Sequence, residues 1–134
     1  MKELETFLDK IEKVMAQNGH YKFEAYSFVM AALHHTVTRL PKRRHITGQE
    51  LLQGIREYSL EQFGALARTV LNYWGIKSTE DIGNIVFDLV ENRILTKTDN
   101  DSLESFRNAY DFIEVFDQGY RQQLAKKISR MRSM

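Results

Sequence analysis

Four histidines, His20, His34, His35 and His45, are the residues of this chain best suited to exchange a proton near neutral pH or to ligate a metal. Their spacing supports neither task. His34 and His35 are neighbours, and neighbours on a helix point about 100° apart, so they cannot grip one ion as an i, i+4 pair does. No acidic residue lies one helical turn from either. Cysteine is absent, which excludes a thiol nucleophile, a thiolate metal site and a disulfide framework. The sequence also lacks a Gly-rich phosphate loop, a nucleophile elbow and a paired-histidine helix motif. Carboxylates are plentiful, but abundance alone does not make an acid–base pair. The chain therefore reads as a non-enzymatic binding module, with no catalytic residue, no metal ligand and no cofactor.

The chemistry that remains is electrostatic. A formal net charge of +1 hides three blocks of different sign. Residues 1 to 79 carry 11 Lys/Arg against 8 Asp/Glu, residues 80 to 117 carry 3 against 10, and residues 118 to 134 carry 5 against none. Polarisation of this kind speaks to partners rather than to fold. Two clusters are basic. Lys42, Arg43 and Arg44 precede His45 beside the single proline, with Arg39 one turn upstream, and the tail carries Arg121, Lys126, Lys127, Arg130 and Arg132. Cations in such clusters contact phosphates as point charges or, for arginine, as a bidentate fork.

Helices must position these groups. Leu4, Phe7, Leu8, Ile11, Val14 and Met15 fall at helical spacing and end at Asn18-Gly19. From Phe23 to Leu40 two apolar stripes run on opposite sides, Tyr26, Val29, Met30, Leu33, Val37 and Leu40 against Phe28, Ala32, His35 and Arg39. A helix apolar on two sides is either central or shared with a partner. Pro41 ends it and leaves Lys42 to His45 as a loop. Thr47-Gly-Gln-Glu50 has the form of a capping box and predicts a third helix closed by Gly64. A shorter segment stops at Gly75, and Ser78 caps a fifth, with Ile82, Ile85, Val86, Leu89 and Val90 buried. After Leu95 two readings compete. Residues 101–116 form either an exposed wing, from the partial alternation of Tyr110 to Phe116, or a short helix capped at Asp101-Ser-Leu-Glu104.

The segments Arg44-His-Ile-Thr-Gly-Gln-Glu-Leu-Leu52, Glu61-Gln-Phe-Gly-Ala-Leu-Ala-Arg-Thr-Val70, Trp74-Gly-Ile-Lys-Ser-Thr-Glu-Asp81, Ile85-Val-Phe-Asp-Leu-Val90 and Tyr110-Asp-Phe112 resemble the "Minf" family of short bacterial proteins. The resemblance spans roughly His20 to Tyr120. The family carries no assigned activity, so the resemblance implies no catalytic or binding residue.

The expected fold is mainly α, or α+β if the wing forms. It is a single compact domain over 1–134, in which a winged-helix-like three-helix unit (48–94) follows an N-terminal helical pair (2–40) and a basic loop (41–47). An acidic wing-like segment (95–117) and a short basic helix (118–134) complete it. In a winged helix the last helix enters duplex DNA. Here its outward positions would be Glu80, Asn84, Phe87, Asp88 and Glu91, a surface that repels phosphate, so duplex DNA is not the expected ligand. The leading expectation is RNA or a ribonucleoprotein, bound without sequence specificity through Arg39, Lys42, Arg43, Arg44, Lys126, Lys127 and Arg130. The alternative is a protein-interaction or self-associating module that sets the face of Glu80, Asn84, Phe87, Asp88 and Glu91 against a basic partner. The tail's narrow stripe, Tyr120, Leu124, Ile128 and Met131, either docks on the body or belongs to a frayed, solvated terminus. No window is long and apolar enough for a membrane span, and the charged N-terminus lacks a signal-peptide stretch, so the expected location is the cytoplasm.

Overall fold

The computed structural model describes residues 2–96 and 103–132. Six α-helices follow one another: α1 (Lys2–Asn18), α2 (Phe23–Thr38), α3 (Gly48–Phe63), α4 (Ala67–Tyr73), α5 (Thr79–Glu91) and α6 (Gly119–Arg132). A 3-10 turn, Gly64–Leu66, joins α3 to α4; a second, Leu103–Phe106, follows α5; and a π-helical segment, Ile113–Gln118, leads directly into α6. The architecture is all-helical, with no strand among the described residues.

Helix boundaries follow local backbone chemistry. Thr47 accepts a hydrogen bond from the Glu50 backbone at 3.1 Å while the Glu50 carboxylate accepts one from the Thr47 N–H at 2.9 Å, the reciprocal box that starts α3. At the start of α5 the Asp81 carboxylate accepts from the backbone N–H groups of Lys77 and Ser78, at 2.8 and 3.2 Å. Between these helices Gly75 turns the chain at φ +99, where a side chain would also meet the His20 carbonyl.

Of the two uses open to a doubly apolar helix, α2 is central. Tyr26 and Val29 from one stripe are buried together with Phe28 and Ala32 from the other, and α2 packs on α1, α3 and α5. An aromatic cluster locks its first half. The Phe28 ring lies 5.3 Å from Tyr58, 5.4 Å from Phe63 and 5.5 Å from Trp74, joining α2, α3 and the end of α4. Nearer its C-terminus α2 meets α3 at Gly54, where a Cβ would collide with the Thr36 side chain.

Of the two readings of 101–116, the described residues take the helical one. Leu103–Phe106 forms a 3-10 turn and Ile113–Gln118 a π-helical segment, because the apolar residues around the latter follow a helical rather than an alternating spacing. Phe112, Val115 and Phe116 are i, i+3 and i+4, and all three are buried. Asp111 Oδ1 fixes the start by accepting from the N–H groups of Ile113 and Glu114 at 2.9 and 3.0 Å. Upstream, the Phe106 ring seats against Gly83 of α5, where an added Cβ would come within 2.8 Å of it. The polar stretch 97–102, including the start of the expected cap at Asp101, lies outside the described residues.

Replacing Gly54 by alanine should overpack the α2–α3 crossing and lower stability by about 1–3 kcal/mol. Thermal and urea unfolding of Gly54→Ala, Thr36→Ala and the double variant form the check. The double variant should lose less than the sum of the singles, since removing the Thr36 hydroxyl and methyl relieves the clash; strict additivity would contradict the packing.

Candidate nucleic-acid interface

The basic loop begins where α2 stops. Pro41, Lys42, Arg43, Arg44 and His45 are all exposed. Two of its four expected phosphate ligands already hold carboxylates. The Arg44 guanidinium forms a fork on Glu50, with Nη1 to Oε1 at 3.0 Å and Nη2 to Oε2 at 2.8 Å. Its Nη1 also donates to the His45 carbonyl at 3.0 Å, so the pair staples the loop to the first turn of α3. Arg39 reaches Glu61 at 3.5 Å. Lys42 and Arg43 form no ion pair among the described residues.

The tail differs in every respect. The chain enters it through a junction held by Arg68, whose Nε donates to Asp117 at 2.9 Å, and by the Tyr120 ring, which lies over Gly64. Beyond Tyr120 exposure rises. Every residue from Arg121 to Arg132 is exposed, including Leu124, Ile128 and Met131 at 40, 47 and 66%. The docked reading of this stripe is therefore corrected. A segment with five cations and three apolar positions in narrow register buries too little to hold it down. No carboxylate pairs with Arg121, Lys126, Lys127, Arg130 or Arg132 among the described residues. Lys126, Lys127 and Arg130 line one shallow concavity of about 280 Å³ with Tyr120, Gln123 and Leu124.

The basic loop and α6 are anchored at opposite ends of α3, with Arg39 reaching Glu61 toward the far end. The loop adjoins the N-terminus of α3, whereas α6 is anchored beside Gly64 at its C-terminus, and 16 helical residues separate the two by about 24 Å.

Comparison with known proteins finds no matching family model, no significantly similar curated protein and no significantly similar solved structure. The arrangement of charge must speak for itself.

The acidic face expected on α5 is also partly used up. Tyr26 donates its phenol to Asp88 at 3.0 Å; Tyr21 donates to Asp81 at 2.7 Å and accepts from Asn84 at 3.1 Å. Burial and these carboxylates push both phenols above the usual tyrosine range, so both stay protonated donors. Glu80 accepts from the Asn108 backbone at 3.2 Å. Phe87 is half-buried against the core, leaving Asn84 and Glu91 as the exposed members of the set. Sequence periodicity missed this because the phenols arrive from some 60 residues upstream.

Among the histidines, the structure brings Glu61 of α3 to His35 of α2, with 3.6 Å between Oε2 and Nε2 and the imidazole 4.7 Å from the Tyr58 ring. That separation is too long for a hydrogen bond and becomes an ion pair only when the imidazole is protonated. No cluster of three or more His, Cys, Asp or Glu able to hold a metal occurs among the described residues, and no helix is long and apolar enough to cross a membrane.

The Arg44 fork, aided by the Thr47 N–H, pulls the Glu50 carboxyl from 4.5 down to about 2. A carboxyl depressed on folding adds stability above its ordinary pKa and loses it as pH falls through the folded value, so the stability this pair contributes should fall between about pH 4.5 and 2. Carbonyl-detected NMR should find the Glu50 midpoint near 2, and Arg44→Gln should move it back part of the way toward 4.5. An ordinary midpoint in the parent protein would contradict the fork.

Proposed function

We propose that this protein binds RNA, without sequence specificity, through α6. The observation that carries the reading is that α6 exposes every residue from Arg121 to Arg132, with five cations and no carboxylate. An isolated helix of 14 residues sits near the length limit for stability in water, and the like charges of Lys126 and Arg130, four apart, weaken it further. A polyanion relieves both costs, since each neutralised phosphate releases counterions and removes repulsion along the helix. Exposed Lys42 and Arg43 add a second, weaker contact at the far end of α3, while Arg44 and Arg39 serve mainly to hold the loop. The absence of cysteine fits a reducing cytoplasm.

A second reading rests on Leu124, Ile128 and Met131. Their exposure fits an acidic protein partner that would cover the stripe while pairing with the lysines. Two copies of α6 alone would repel, so a self-assembly would have to set α6 against an acidic part of the other copy.

Fluorescence anisotropy with a short labelled single strand of RNA, repeated over a salt series, tests the first reading. Four to five phosphate contacts predict a log–log slope of about −3 for a single strand. The triple change Lys126→Glu, Lys127→Glu, Arg130→Glu should cost at least tenfold in affinity, and Arg43→Glu severalfold or less. Equal affinity in the triple variant, or no binding at low salt, would overturn the reading.

A further inference from the structure

The loop that holds Arg43 also forms the rim of a cleft distinct from α6. The cleft has a volume of about 620 Å³, within the range of pockets that enclose small ligands. Its walls come from α2, the start of α3, α5 and the turn at Phe106, and are mainly aliphatic: Leu33, Val37, Leu51, Val86, Val90 and Ile94. Five of these six, Leu51 being the exception, are only half-buried, so their apolar surface faces the opening rather than the core.

The charged groups that line the cleft among the described residues are Arg43 and Arg44, with His45, Thr47 and Thr96 beside them, and none of the described lining residues is acidic. Arg44 is occupied by Glu50, which stands outside the lining. Arg43 is exposed, has no ion pair among the described residues, and is the guanidinium left to meet a ligand. A single planar fork at the mouth of an aliphatic cleft matches a molecule with one carboxylate and a long hydrocarbon body.

We infer that the cleft between α2 and α5 binds an aliphatic monocarboxylate, its chain lying against Val37, Val86 and Ile94 and its head on Arg43. The ligand class follows from the wall chemistry and the rim charge together. A cation would face the Arg43 guanidinium, and a polyanion would leave charge unmatched.

Dodecanoate, used below its micelle concentration, is the probe, with dodecanol and dodecyltrimethylammonium as chain-matched comparators. Calorimetry should give one saturable site for dodecanoate, with dodecanol at least tenfold weaker and the cation not bound. Arg43→Gln should bring dodecanoate down to the affinity of dodecanol. Filling the cleft by Val86→Trp should abolish binding, with circular dichroism to confirm folding. Should that variant fail to fold, a doxyl-labelled dodecanoate added to the parent protein must broaden the methyl signals of Val37, Val86 and Ile94 before those of α1. Absence of binding, equal affinity for acid and alcohol, or broadening that spares those methyls would each overturn the assignment.

Discussion

The two-sided burial of α2 is the constraint on which the rest of the molecule depends. Tyr26 reaches Asp88 of α5 while Phe28 stacks on Tyr58 of α3, so α2 is held between these two helices, and α1 packs on it as well. Contact with α3 is possible at close range only because residue 54 lacks a side chain at the Thr36 crossing. Once those two helices are fixed, the chain between them has nine residues to turn back, and the proline and cations of that stretch are left at the surface. The Arg44 fork on Glu50 then finishes the start of α3. One packing decision thus sets both the exposure of the loop and the mouth of the cleft beneath it.

Local chemistry was legible in the sequence where a single residue decides a backbone state. Thr47, Ser78, Gly64, Gly75 and Pro41 each mark an element boundary for reasons confined to a few neighbouring atoms, and the structure places boundaries there. Contacts between distant segments were not legible. The Phe106 ring on Gly83, the Tyr110 phenol donating to the Leu52 carbonyl at 2.7 Å, and the Tyr21 and Tyr26 phenols on the acids of α5 all join positions far apart in the chain. Those contacts turn an apparently open acidic face into one that is partly satisfied from within. Residues 101–116 stayed open between wing and helix because short apolar runs fit either period, and only the burial of Phe112, Val115 and Phe116 as an i, i+3, i+4 set decides for helical turns.

The candidate site was half legible. Composition placed the cations of the tail correctly as a cluster, since no acid follows Asp117. It could not separate the loop arginines that bind carboxylates from the tail residues that do not, because Glu61 meets Arg39 only when α3 packs on α2 and Glu50 meets Arg44 only when the loop folds back on the first turn of α3. The outcome is a division of labour along α3. Its N-terminal end carries a stapled, partly neutralised loop over an apolar cleft, and its C-terminal end carries a helix whose cations form no ion pair among the described residues.

Amide hydrogen exchange of the full chain, with and without single-stranded RNA at low salt, tests the role of α6 most directly. The amides of residues 121–132 should exchange quickly in the free protein, as expected for a helix that buries nothing, and should gain protection with RNA that is lost again when salt is raised. Protection arising elsewhere while α6 continues to exchange freely would contradict that role.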